Sequence, residues 1–140
     1  MFTKQTIVRF SECDGLGHVN NTTYYIYMEE ARVDLFRLFI PSLDLTQWNL
    51  IVASTRCDYL QQVKFAEIIT TYTWISHIGK SSMIIEHALQ NDQNEWVARG
   101  QAVMIYYNYE TQKAESIPEA IKNTLMQQME SPINAPDLRG

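Results

Sequence analysis

Hydrophobic residues fall along this chain in two rhythms. Across residues 22–39, Tyr24, Met28, Ala31, Leu35 and Phe39 recur at spacings of four, three, four and four, which sets them on one face of a helix. Opposite charges three apart, Glu29 with Arg32 and Asp34 with Arg37, suit the solvent side of that helix. Pro41 stops it. Elsewhere the rhythm is that of strands. Residues 6–11 read as a short strand carrying Ile7, Val8 and Phe10. Residues 50–62, 67–77, 82–90 and 96–107 read as longer strands, with turns at Gly79-Lys80 and at Asn91-Asp92-Gln93-Asn94. Pro118 opens a last helix running to about Met129, and the tail from about residue 130, with Pro132 and Pro136, is expected to be loose.

One long helix followed by strands on short turns predicts an α+β fold. A helix of about 18 residues spans about 27 Å. A strongly twisted antiparallel sheet of about five strands, wrapped around it, buries its apolar face. The last long strand presents Trp96, Ala98, Gly100, Ala102 and Met104 on one side, small in the middle, where a helix can lie close. No internal repeat, low-complexity stretch or linker interrupts residues 1–140, so a single domain with a C-terminal helix is expected.

Composition narrows the classes. With 46% hydrophobic and 19% charged residues the chain is globular, and 140 residues suffice for a sizeable core. A net charge of −5 gives no support for nucleic-acid binding. No apolar run is long enough to span a bilayer. The start, Met1-Phe2-Thr3-Lys4-Gln5, lacks the apolar stretch of a secretory leader. Two cysteines make no disulfide framework, and no Cys/His cluster has zinc spacing, so no metal is expected and the setting is expected to be cytoplasmic.

The chemistry concentrates in Ser11-Glu12-Cys13-Asp14-Gly15-Leu16-Gly17-His18-Val19-Asn20-Asn21, between the first strand and the helix. Glycine lets backbone amides approach a bound group. Asparagines ahead of a helix cap it and leave its first N–H groups facing an anion. A carboxylate just upstream is placed to attack a carbonyl held there, or to activate water against it. That is equipment for acyl transfer or hydrolysis.

From Asp14 to Tyr24 the sequence resembles the signature of hotdog-fold acyl-CoA thioesterases of the 4-hydroxybenzoyl-CoA thioesterase type: Asp, two variable residues, Gly-His-Val-Asn-Asn, two variable residues, Tyr. The similarity continues at Glu29-Glu30-Ala31-Arg32, Asp58-Tyr59-Leu60, Ile78-Gly79-Lys80-Ser81-Ser82 and Ile117-Pro118, in order along nearly the whole chain. It implies thioester hydrolysis with no cofactor beyond the CoA of the substrate. It implies a homodimer paired sheet edge to sheet edge, or a homotetramer of two such pairs, with active sites at the dimer interface. By the same resemblance Asp14 is nucleophile or general base, and the Asn21 backbone N–H polarises the carbonyl. Gly17 allows close approach of substrate. Lys80, Ser81 and Ser82 lie near the nucleotide or pantetheine, where a lysine meets phosphate as a point charge.

Each role has a plainer rival. Asp14 can close an Asx-turn, His18 can shape the loop, and Asn20 can be a cap. Tyr24 and Tyr25, with Tyr59 candidates for substrate contact, also begin the apolar face. Glu29 suits the solvated face, and Glu30 is a candidate tie to the loop. His77 and His87 read as satisfied sheet histidines. Cys13 has no histidine paired with it for thiol chemistry. Two departures bear on acyl specificity: Gln61-Gln62 stand where relatives commonly carry proline after Tyr-Leu, and Tyr106, Tyr107 and Tyr109 make the last strand unusually aromatic. The substrate is thus expected to be an acyl-CoA or an acyl-carrier-protein thioester. A hydratase or dehydratase on acyl thioesters, and a non-catalytic acyl-thioester binder, are the alternatives.

Overall fold

The computed structural model describes all of residues 1–140. Its strands are β1 (Phe2–Ile7), β2 (Leu50–Tyr59), β3 (Ile68–Ile78), β4 (Ser82–Asn91), β5 (Trp96–Asn108) and the two-residue β6 (Lys113–Ala114). Its helices are α1 (Thr23–Ala31), α2 (Val33–Phe39) and α3 (Glu119–Met126). The main sheet runs β1-β3-β4-β5-β2, antiparallel throughout, with β6 paired to the end of β5. This is the hotdog arrangement: α1 and α2 lie in the curl of the sheet, and α3 closes one end.

The apolar periodicity of the helix becomes two adjoining cores. Tyr24, Tyr27 and Met28 of α1 pack with Val8, Val19, Val63, Ile69, Leu89, Val97 and Ala98. Leu35, Phe36 and Phe39 of α2 pack with Ile75, Met83, Ile85, Ala102 and Met104, capped by Ile117 and Leu125. Gly100 is the close-approach point, because a Cβ there would overlap Met28 Sδ and stand 3.3 Å from the Arg56 carbonyl oxygen.

The single helix expected over residues 22–39 is instead two segments joined at Arg32, whose N–H is shared between the Met28 and Glu29 carbonyls at 3.1 Å each. The charge assignment there is also corrected. Arg32 does not lie on the solvent side with Glu29; it is buried and reaches His87. The joint therefore falls where the helix turns a guanidinium into the core. The first strand begins earlier than its apolar residues suggest. It spans Phe2–Ile7, while Phe10 lies in a short 3-10 turn and is exposed. The tail, expected to be loose, crosses the outer face of the sheet. Gln128 accepts from Ile75 N–H at 2.8 Å, Pro136 accepts from Arg99 Nε at 2.7 Å, and Arg139 N–H donates to Asp58 at 2.7 Å.

Of the two strand histidines, His77 is exposed and His87 is wholly buried. Arginine only donates, so His87 Nε2 accepts from Arg32 Nη1 at 3.1 Å, and Nδ1–H donates to Thr73 Oγ1 at 2.9 Å. Burial, and then the charges of Arg32 and Arg99, hold its pKa well below 6.5. The unfolded chain therefore binds a proton near pH 6.5 that the folded chain refuses. Stability is expected to be full above that pH. As pH falls below it, stability drops by up to about 1.4 kcal/mol per unit, until the lowered pKa is reached. Urea melts between pH 7 and 5 measure this slope, and His87→Gln is expected to flatten it.

Candidate active site

The loop between β1 and α1 is held by its own backbone. Asp14 N–H donates to the His18 carbonyl at 2.7 Å, and Gly17 N–H donates to the Asp14 carbonyl at 3.1 Å. Val19 N–H joins the Val63 carbonyl at 2.7 Å, and His18 bridges to Lys64. Gly17 has φ +78, where an L side chain is strained, and a Cβ there would meet nothing within 4 Å. The turn by itself thus requires glycine here.

Asp14 satisfies both of its readings through different oxygens. Oδ1 accepts from Leu16 N–H at 2.9 Å and His18 N–H at 3.2 Å, which is the Asx-turn. Oδ2 has no partner in the chain, and the carboxylate is exposed. Asn20 is a loop tie rather than the cap of α1, whose N-cap residue is Thr22: Asn20 Oδ1 accepts from Thr22 N–H at 3.0 Å and from Thr22 Oγ1 at 2.9 Å, an Asx turn just ahead of the helix. The next residue, Asn21, has a backbone N–H with no acceptor in the chain. Its carbonyl takes the Tyr59 hydroxyl at 2.8 Å, which ties the helix start to the end of β2.

A cleft of about 380 Å³ opens between this loop and the segment that follows β2, lined by Asp14, His18, Asn21, Tyr24 and Tyr59, with Leu16, Val19, Leu60, Gln61 and Gln62. Tyr24 and Tyr59 meet edge to face at 5.0 Å between ring centres. Burial pushes both phenols up to about 12, so both remain protonated donors at neutral pH. Burial likewise raises the Cys57 thiol to about 11. Cys13 Sγ turns to the Arg9 carbonyl at 3.7 Å and is not part of the cleft.

Several expected contacts lie elsewhere. Gly17, Asn20 and Tyr25 are outside the lining, and Tyr25 packs against the core under α1. Glu30 ties to Lys4 of β1 at 3.8 Å rather than to the loop. Lys80, Ser81 and Ser82 form the β3–β4 turn. Ser82 and Ile51 flank the same residue, Ile105, so this turn is at the Leu50 end of the sheet, while the cleft is at the Tyr59 end. The chain by itself keeps the two apart.

Glu12 was not singled out in the sequence, yet it anchors the loop. Its carboxylate accepts from Tyr27 Oη at 2.8 Å and from Arg9 N–H at 2.8 Å, and its carbonyl accepts from Asn20 N–H at 2.9 Å. Burial works against its charge, but the Arg9 backbone bond and the Tyr27 hydroxyl outweigh it and lower the pKa. The Arg9-to-Glu12 spacing of three was the available signal.

A sequence model described as the thioesterase-like superfamily matches residues 8–125. The Bacillus subtilis (strain 168) protein YsmA is 37% identical over 125 residues, which cover 89% of this chain and 85% of that one. A structure of a predicted thioesterase from Bacillus stearothermophilus superposes with a TM-score of 0.90 at 33% identity, over 94% of this chain and 98% of the other. A thioesterase from Thermus thermophilus, solved in complex with coenzyme A and zinc, gives a TM-score of 0.79 at 29% identity, over 89% of this chain and 96% of the other.

Proposed function

Because this chain belongs to the thioesterase-like superfamily, we propose that it hydrolyses an acyl-CoA thioester to a carboxylic acid and CoA. One observation carries the reading: Asp14, which has an unengaged carboxylate oxygen, and Asn21, which has an unbonded backbone N–H, both line one cleft. A thioester carbonyl accepted by the Asn21 amide, at a helix start that favours negative charge, gains stabilisation as its oxygen becomes an oxyanion. Asp14 then takes a proton from an attacking water, or attacks the carbonyl itself to give a mixed anhydride that water opens. Tyr24, Tyr59 and His18 shape the cleft around the thioester. The reaction calls for no metal or organic cofactor.

The unpaired edge of β2 supports a two-fold dimer as the working unit. Val52, Ala53, Ser54, Thr55 and Arg56 are all exposed there. Antiparallel pairing of β2 with a second β2 sets the Leu50 end of one beside the Tyr59 end of the other. That brings the partner subunit's Lys80, with the partner subunit's Ser81 and the partner subunit's Ser82, to the end of the joint sheet that holds Asp14. Three strand spacings, about 14 Å, then separate that turn from the cleft's own β2. The pantetheine and nucleotide of CoA can cover such a span.

Purified protein given short, medium, long and aromatic acyl-CoAs is expected to release free thiol with at least one class. Acyl-CoA binding without thiol release across the whole panel would replace the enzyme reading with that of a binder. Release only from acyl-carrier-protein thioesters would keep the chemistry and change the carrier.

A further inference from the structure

A second groove, of about 420 Å³, opens between the α1–α2 joint and the start of β2. Its lining is mostly apolar, with Val33, Phe36, Trp48, Ile51 and Met104 among it, and Arg32 is part of it. Arg32 is only 4% exposed, yet no carboxylate lies within ion-pair distance of it. The one hydrogen bond of its side chain goes to His87, and its Nε is buried with no acceptor at all. Arginine keeps its charge at any accessible pH, and His87 is a neutral acceptor. Glu29 and Glu30 also line the groove, but Glu30 pairs with Lys4, and Glu29 acts on Arg32 only through its charge, without a bond. The fold thus retains a buried cation that lacks an oxygen partner, in a groove otherwise suited to hydrocarbon.

We infer that this groove receives the distal part of the acyl group, and that Arg32 selects acyl groups carrying an acceptor oxygen (keto, hydroxyl or carboxyl) beyond the thioester carbonyl. The inference rests on the proposed thioesterase reading and its β2-paired dimer, in which the groove of one subunit borders the cleft of the other. Apolar contacts hold the chain of the acyl group. Arg32 Nη2, which makes no hydrogen bond in the chain and is not sealed off as Nε is, donates to the acyl oxygen. A groove built this way rejects a plain hydrocarbon acyl group, because that group leaves the buried donor unmet.

The test uses acyl-CoAs of matched length: one unsubstituted, and three with a distal keto, hydroxyl or carboxyl group. Wild-type protein is expected to favour at least one oxygenated substrate by about ten- to hundredfold in kcat/KM. The keto and hydroxyl arms against the carboxyl arm tell a neutral acceptor from an anionic one. In Arg32→Met, an apolar replacement that buried sites commonly tolerate, the ratio is expected to collapse to within about threefold. Arg32→Lys is expected to restore part of it. Equal losses on all substrates in both variants would make Arg32 purely structural and overturn the inference. So would a wild-type ratio near one. Calorimetric binding of the same four acyl-CoAs to Asp14→Asn protein gives a readout without turnover. Selective binding with no hydrolysis by the wild type would sink the thioesterase reading and keep the subsite. Hydrolysis with no selectivity in either readout would do the reverse.

Discussion

Asp14→Asn is expected to lower kcat for thioester hydrolysis by about 10²- to 10⁴-fold, the range that loss of a positioned acid or base produces. The substitution isolates chemistry from structure because the two carboxylate oxygens have separate duties. Oδ1 holds the turn through Leu16 and His18 N–H groups. An asparagine Oδ1 accepts both bonds equally well, so the loop, the Asx turn at Asn20 and the Asn21 amide stay in place. The free Oδ2 becomes an amide nitrogen, which neither accepts a proton nor attacks a carbonyl. Thiol-release kinetics read the effect, with circular dichroism and a melting curve run on the same preparation. KM is expected to change little, because the Asn21 amide and the rest of the cleft lining are unaltered. A kcat within tenfold of wild type, on a variant that folds normally, would remove Asp14 from the reacting centre and leave it the turn alone.

The largest effect on stability is expected at Arg99→Met, about 3–5 kcal/mol of destabilisation. Arg99 and Glu86 are both buried on the outer face of the sheet, 2.8 Å apart. Glu86 also accepts from Ser76 Oγ at 2.6 Å and Gln101 Nε2 at 2.9 Å. Arg99 holds the tail through the Pro136 carbonyl and lies 4.8 Å from the centre of the Trp74 ring. Methionine fills the space but leaves Glu86 as a buried charge with no counter-ion. Taking two ions out of water is costly, so the intact pair adds little net stability, whereas half of it costs a great deal. The double variant Arg99→Met/Glu86→Leu is accordingly expected to recover most of the loss. Urea unfolding at one fixed protein concentration measures all three proteins. A single variant within about 1 kcal/mol of wild type would show that Glu86 finds water or relaxes outward.

The elements that the sequence places best are those whose burial is one-sided. β3, β4 and β5 begin and end within a residue or two of their expected positions, because each has a neighbour on both edges and one face on the helices. The pattern misplaces β1 because it is an edge strand, mostly exposed, and its Lys4, Gln5 and Thr6 carry no alternation. Ile7, Val8 and Phe10 draw the expectation downstream, yet only Val8 is buried. The helix reads as one piece because its apolar face continues across the joint. At the joint, Arg32 bonds a partner 55 residues away, His87, which no local pattern announces.

The candidate site divides in the same way. Asp14, His18, Asn20 and Asn21 stand within a few residues of one another, so the two Asx turns and the free amide follow from local backbone geometry. The Tyr59 hydroxyl on the Asn21 carbonyl spans 38 residues, and Gln61 and Gln62 enter the lining only because β2 ends beside the helix start. The Arg9–Glu12–Tyr27 anchor was visible only as a spacing of charges.

By itself, then, the sequence determined what near neighbours and periodicity control: a helix in an antiparallel sheet, and a glycine-bearing loop whose carboxylate precedes a helix start. Tertiary structure alone decided which charges are buried, where the tail lies, and that the Lys80 turn and the Asp14 cleft occupy opposite ends of one chain. The physical reason is range. Turn and helix geometry are set within about four residues along the chain. Burial and ion pairing depend on which strands the folded sheet sets side by side.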